Sequence, residues 1–357
     1  MHRRTLSAGV LALVLVAPVA FAESDGTALE QRGTLSLPGA FTDADGRVHR
    51  LAETSGVAWA GDDRYVAAMD GSDRALLFRL SVDAAGAPLG ATAEATIALD
   101  AARDWEDVAV VGTRTGTRLF LVEEETPALR VFLLDAGLRR AAAEGGHSLR
   151  RVFPGMRPNR GPEALSADPD GRWLWTANEE ALAGDGGEPR DGVGGRVRLV
   201  RLPVPTAEPG RRPADPTAAR REWIYEIDPP HARLGLGLGP IHSGLVALAA
   251  LGEGRLLVLE RSAGVGVPPF ENRIYLVDPS GAPGAKGAAD AAATPVGKSL
   301  LWRGALGVNL EGLCIGPGLD DGRRVVVGVA DNAAGDRTPA GADGPVNPLV
   351  IWTITTP

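Results

Sequence analysis

Five places in this 357-residue chain put an oxygen-bearing side chain directly ahead of a crowded position: Ser55-Gly56, Glu106-Asp107, Glu163-Ala164, Ser243-Gly244 and Glu311-Gly312. Four of the five second residues are small, and Asp107 is the departure. Each pair opens a short apolar run. A turn rich in Asp and Gly follows, then an Arg or Thr-Arg, a strongly apolar run, and a polar end. Those ends are Asp70, Glu123-Glu124-Glu125, Asn178-Glu179-Glu180, Glu260-Arg261 and Asp331-Asn332. If the two runs are antiparallel strands, the start of the first and the end of the second share one rim. Three carboxylates and two hydroxyls then meet Asp70, Glu124, Glu179 (or Asn178), Glu260 and Asp331 or Asn332 in one place. Carboxylates crowded in a poorly solvated space need protons or a cation. Oxygen-only donors suit Ca²⁺ better than zinc. The candidate metal ligands are Glu106, Glu163, Glu311, Asp331 and Asn178. The plain alternative, for any one of them, is a solvated acid at a strand end.

Other residue types are weighed against that rim. His242 falls in the register beside Ser243 and, with Glu163, is a candidate general acid or base. A structural histidine is the alternative reading. Arg160 and Arg261 would reach the same rim, where arginine suits phosphate oxygens; Arg103 precedes the second unit. Cys314, the single cysteine, lies between Leu313 and Ile315 and reads as a small buried hydrophobe. Trp59, Trp105, Trp173 and Trp175 read as packing residues. The chain has no Gly-x-Ser-x-Gly elbow, no phosphate-binding Gly-x-x-x-x-Gly-Lys loop and no His-Glu-x-x-His motif, which leaves a serine-hydrolase, nucleotide-loop or zinc-protease reading without support.

The elements that must position the rim come from the same repeat. Two further strand-like runs follow most units: 75–80 and 93–99, 129–134 and 148–153, 197–202 and 222–227, 273–277 and 299–303. The fifth unit has only 349–354, and 33–37 is a spare strand near the start. Four short strands per unit at roughly 50–80 residues, without helical periodicity, predict an all-β chain folded as a β-propeller. Five blades are counted, and a sixth would need four more strands. The N-terminal strand completes the last blade and closes the ring, which removes two sheet edges. The best helical candidates are 138–144 and 285–293. The stretches 206–219 and 281–293 read as exposed insertions, and the loops 181–195, 262–272 and 333–348 open on the acidic rim.

Residues 1–22 read as a secretory signal peptide: Arg3-Arg4, an apolar run from Leu6 to Val19, and Ala20-Phe21-Ala22 as the cleavage site. Residues 23–32 read as a linker and 33–357 as the propeller domain. Without Arg3 and Arg4 the 37 basic residues fall to 35 against 45 acidic ones, so the net charge moves from −8 to −10. That balance disfavours a nucleic-acid partner and suits a divalent cation. An exported, monomeric protein, periplasmic or extracellular and off the membrane after cleavage, acting on a small molecule is expected.

In order along the chain, Asn159-Arg160-Gly161-Pro162-Glu163-Ala164-Leu165 with Asp168-Pro169-Asp170-Gly171, Ser243-Gly244-Leu245 with Gly254 to Arg261, and Asn309-Leu310-Glu311-Gly312-Leu313 with Asp331-Asn332 resemble the secreted phytase-like family described as esterase-like activity of phytase. The resemblance covers about residues 33–354. It implies a propeller and phosphoester hydrolysis, with a phosphorylated small molecule as one expected substrate and Ca²⁺ at the acidic mouth, as in β-propeller phytases. Their opening Asp-Ala-Ala-Asp-Asp-Pro-Ala run has a partial echo in Asp100-Ala101-Ala102-Arg103-Asp104-Trp105-Glu106, with Arg103 in place of an acid and Trp105 in place of Pro. Two other classes fit the same rim: a non-catalytic binding propeller, and a lactonase-type propeller with mixed acid and amide ligands such as Asn178 and Asn332.

Overall fold

A computed structural model describes residues 25–51, 53–205, 215–231, 242–264, 269–285, 293–304, 308–331 and 345–357. Its strands, in chain order, are β1 (Ala28–Pro38), β2 (Ala40–Thr42), β3 (Val48–Arg50), β4 (Thr54–Gly61), β5 (Arg64–Met69), β6 (Arg74–Val82), β7 (Pro88–Ala98), β8 (Trp105–Thr113), β9 (Gly116–Glu123), β10 (Ala128–Leu134) and β11 (Ala141–Ser148). They continue with β12 (Pro162–Ala167), β13 (Trp173–Asn178), β14 (Gly195–Pro203), β15 (Arg221–Ile227), β16 (His242–Gly252), β17 (Arg255–Ala263), β18 (Phe270–Val277), β19 (Lys298–Gly304), β20 (Asn309–Gly318), β21 (Arg324–Asp331) and β22 (Pro345–Thr355). Among the described residues the helical pieces are two short 3₁₀ turns, Pro216–Ala219 and Pro279–Gly281.

Five antiparallel four-stranded sheets form five blades: β4–β7, β8–β11, β12–β15, β16–β19, and β20-β21-β22 completed by β1. β1 pairs with β22 from Ala28↔Thr355 to Pro38↔Pro345. The first element of the ring is thereby zipped to the last, and the closing strand starts five residues before the expected Gly33. The inner strands β4, β8, β12, β16 and β20 each touch the next, and β20 touches β4.

Both faces of a blade pack against neighbouring blades, so its strands read as continuous apolar runs instead of alternating ones. In β5 every residue after Arg64 is buried. Five apolar clusters fill the five interfaces. Val66 and Leu77 meet Leu119 and Phe132 between blades 1 and 2; Phe120 and Val131 meet Leu174 and Val200 between 2 and 3. Trp175 and Tyr225 meet Val258 and Tyr275 between 3 and 4; Leu259 and Trp302 meet Val326 and Trp352 between 4 and 5. Tyr65 and Phe78 meet Val325 and Ile351 across the closure. Trp105 and Trp175 are packing residues as expected, while Trp59 stands 36% exposed. Cys314 is a buried free thiol.

Blade 2 departs from the sequence expectation. Its outer strand is 141–148, not 148–153, and the helical candidate 138–144 falls in a turn and that strand. Leu149, Val152 and Phe153 are apolar because they plug the interface with blade 3 from a turn, in which the Val152 and Phe153 amides donate to the Leu149 carbonyl. Ala141–Ala143 extend because β10 offers an open edge to pair with; pairing overrides the helical preference of alanine. The second helical candidate and the two insertions lie largely outside the described residues.

Asp107 explains its own departure from the small-residue register. A Cβ on Gly56 would sit 2.3 Å from Asp107 Oδ1, and one on Gly312 would sit 2.8 Å from Gly56 Cα. The glycines make room on the axis for one larger side chain. The Asp107 carboxyl accepts the amides of Val108 (2.8 Å) and Leu165 (2.7 Å) and that of Val57. One side chain thus ties together the inner strands of blades 1, 2 and 3. Full burial pushes its acid well above the usual carboxylate range despite these donors.

Candidate active site

The register expectation comes down to one cavity. A mouth of about 210 Å³ on the axis is lined by Glu53, Ser55, Asp70, Asp104, Glu106, Glu124, Asn159, Arg160, Glu163, Glu179, Arg261, Glu311 and Asp331. Nine carboxyls therefore face two guanidiniums. Glu106, Glu163 and Glu311 arrive from the starts of β8, β12 and β20. Asp70, Glu124, Glu179 and Asp331 arrive from the ends of the returning strands.

The two guanidiniums divide the mouth. Arg261, from β17, reaches across to Glu311 (2.5 Å), Glu179 (2.7 Å) and the Asn309 amide oxygen (2.9 Å). Its acids hold it firmly protonated although burial opposes the charge. Its Nε is buried without a partner. Arg160 pairs with Glu179 (3.2 Å) and Glu180 (3.0 Å). These contacts neutralise the side of the mouth built from blades 3, 4 and 5.

Among the described residues the other side of the mouth is lined by no cationic side chain. Carboxylate oxygens of Asp70, Asp104 and Glu106 lie within 4.8 Å of one another. Asp104 and Glu106 flank Trp105, whose indole is packed edge-on against Phe132; anchoring the middle residue turns both neighbours toward the axis. Asp70 comes from blade 1. Burial, with the hydrogen bond and charge of Asp104 added, pushes Asp70 up to about 7. Glu106 and Glu163 are raised well above the usual range, first by burial and then by neighbouring acids. Glu163 is 9% exposed, and among the described residues it has no hydrogen-bond or ion-pair partner. Glu124 is raised to about 7, mainly by burial, although its carboxylate accepts the Gly161 amide at 2.6 Å. Glu311 is also raised to about 7 by burial, against the pull of Arg261.

Other candidates fall elsewhere. Asn178 does not line the mouth: its amide donates to the Glu180 carbonyl and accepts the Arg198 amide at 3.0 Å. Those bonds hold the β13–β14 connection, so the side chain is not turned to the axis. Glu260 is buried between blades 3 and 4, bonded to Tyr225 (2.7 Å) and Lys298 (2.6 Å); because β17 continues through the expected end, it is Arg261 that faces the mouth. Ser243 donates to the Asp228 carbonyl at 2.9 Å and is also not a lining residue. His242 stands outside the lining, with Nδ1 3.2 Å from Arg160 and 3.3 Å from Glu180. Partial burial and Arg160 lower its pKa. Asn332 lies outside the described residues. Asp104 and Glu53 are lining residues absent from the sequence candidates; the Asp-x-Glu spacing across Trp105 was the available signal for Asp104.

Residues 49–333 match the family model Phytase-like, described as esterase-like activity of phytase. The chain belongs to this family. Comparison with curated proteins finds no match. Among solved structures, this phytase-like chain overlaps the PQQ-bound aldose sugar dehydrogenase of Streptomyces coelicolor at 13% identity, covering 95% of this chain and 100% of that one, with a TM-score of 0.40. It overlaps the endo-arabinase of Bacteroides thetaiotaomicron at 10% identity, 90% and 95% coverage, and a TM-score of 0.46. With the hydrazine synthase of Kuenenia stuttgartiensis the identity is 12% and the TM-score 0.34, and 84% of this chain spans 63% of that one. At these scores the overlaps carry no argument about activity.

Proposed function

We propose that this phytase-like propeller is an exported hydrolase of phosphoesters that uses Ca²⁺ at the acidic mouth. The observation that carries the reading is the side of the mouth where Asp70, Asp104 and Glu106 are grouped beside a buried Glu163, with no cationic side chain and no partner for Glu163 among the described residues. The donor set is all oxygen, as Ca²⁺ requires, and the raised acids are those a cation would hold ionised. Asp70, Asp104 and Glu106 would hold the ion. When bound, it would supply Lewis-acid polarisation of a phosphoryl oxygen and of water.

The chain's own residues do the rest. Burial and neighbouring acids raise the Glu163 carboxyl well above the usual range, so once ionised beside a cation it is a stronger base than an ordinary carboxylate, suited to take a proton from the attacking water and return it to the leaving oxygen. Arg160 lies at the opening, where it can exchange Glu180 for a phosphoryl oxygen. His242, bonded to Arg160 and Glu180, positions that guanidinium instead of taking the proton itself. Arg261, already bound by Glu179 and Glu311, acts as the fixed counter-charge of the mouth. A cavity of about 210 Å³ admits a single phosphoryl group and a small alcohol, so a larger substrate would remain outside apart from one phosphate.

The pairing of both arginines with acids also favours a second reading, a non-catalytic propeller with a structural cation. The lactonase reading loses one of its amide ligands, because Asn178 is engaged elsewhere. The mature protein should be assayed with p-nitrophenyl phosphate and with a δ-lactone, with and without a calcium chelator. Chelator-sensitive phosphate release supports the hydrolase. Turnover of neither substrate supports the binding propeller, and lactone opening alone supports the lactonase.

A further inference from the structure

A second cavity lies at the opposite rim, where blade 3 meets blade 4. It measures about 700 Å³ and is walled by Trp175, Trp223, Arg201, Arg221, Pro279 and Ala282 among others. β13 runs toward the acidic mouth at Glu179, so its opening residues Trp173 and Trp175 belong to the far rim. Register places Trp175 beside Arg201, and Arg201 beside Arg221, on one face of the blade. The Arg201 guanidinium lies over three indoles, 4.5 Å from Trp173, 5.4 Å from Trp175 and 5.7 Å from Trp223.

Arg201 and Arg221 form a like-charge pair on neighbouring strands. Like charges directly opposite on neighbouring strands are unfavourable, and among the described residues neither Arg201 nor Arg221 has a carboxylate within ion-pair distance. Arg201 Nε is buried with no hydrogen-bond partner. Asp168 and Asp170 attract Arg201 only from beyond ion-pair distance: Asp168 accepts the Trp175 indole N–H at 3.2 Å and Asp170 pairs with Arg172, while Glu222 is held by Arg220 and Arg198 and Glu253 is exposed at the cavity edge. A guanidinium clamped on indoles is a preorganised fork for an oxyanion.

We propose that this cavity is a binding site for an organic anion, with its oxyanion head between Arg201 and Arg221 and its apolar body against Trp223, Pro279 and Ala282. The site is separate from the acidic mouth and does not depend on the hydrolase reading. The test is calorimetric titration of the mature protein with 2-naphthoate, with acetate as head alone and 2-naphthol as body alone. 2-Naphthoate should bind at least tenfold more tightly than either. Arg201→Gln and Arg221→Gln should each weaken it at least tenfold, while Glu106→Gln at the mouth leaves it unchanged. Arg221 is exposed, so its variant keeps the test valid should Arg201→Gln fail to fold, and Arg221→Gln should also raise the thermal midpoint of the ligand-free protein by relieving the like-charge pair. Absence of 2-naphthoate binding, equal binding by Arg221→Gln, or its loss in Glu106→Gln would overturn the proposal.

Discussion

Asp104→Asn removes one of three acids whose oxygens lie within 4.8 Å of one another. At that separation two unit charges in an effective dielectric of about 20 repel by about 3 kcal/mol. Water at the open mouth screens this to about 1 kcal/mol per pair. At pH 8 Asp70, pushed up to about 7, is largely ionised, while Glu106 is raised well above the usual carboxylate range, so neutralising Asp104 should relieve about 1 kcal/mol of repulsion, that of the Asp70 pair, in the cation-free protein. For a chain of this size that corresponds to a rise of about 1.5 °C in the unfolding midpoint. At the proposed calcium site the same substitution would also remove a ligand, so the Kd for calcium should weaken at least tenfold by calorimetry and the calcium-induced rise in midpoint should shrink. The two effects have opposite signs, which separates a ligand from a structural residue. A cation-free midpoint that falls, or calcium affinity equal to that of the parent, would refute the reasoning.

Stability should also depend on pH with a definite sign. Asp70, Glu124 and Glu311 are all raised to about 7, so between about pH 4 and 7 the folded state holds protons that the unfolded state releases. Stability is then lost as pH rises through that window, and millimolar Ca²⁺ should restore it at pH 8; thermal scans from pH 5 to 8 with and without calcium check both. Glu163→Gln should reduce kcat for p-nitrophenyl phosphate at least a hundredfold, read by steady-state kinetics beside a calorimetric calcium titration that shows a smaller loss. Asp107→Ala orphans three inner-strand amides and should lower stability by about 2–4 kcal/mol, measured by denaturant unfolding, with Asp107→Asn losing less. Deleting residues 28–38 leaves β22 as an open edge and should produce aggregation, read by light scattering.

The ring was legible because the chemistry of each unit repeats. A polar residue, a crowded position and an apolar run recur five times, and the closing strand is visible as a spare one. The acids were legible as a group for the same reason: strand ends on one rim converge whatever lies beyond them. Finer placement was not legible. Glu260 and Arg261 are adjacent, and one register step decides which faces the axis; the length of β17 settled it for Arg261. Asn178 looked like a ligand by position, yet its amide satisfies backbone groups at the end of β13. Asp104 lies before the strand proper and outside the register, and only the packing of Trp105 turns it inward. The outer strand of blade 2 was missed because alanines that favour helices in isolation sit beside an unpaired edge.

A cation between blades 1 and 2 is sought most directly in crystals of residues 23–357 soaked in Ca²⁺. Anomalous density is expected at about 2.3–2.6 Å from oxygens of Asp70, Asp104 and Glu106, with Glu163 close by. Calcium bound only at other carboxylates of the molecule, with the mouth holding none, would contradict that expectation.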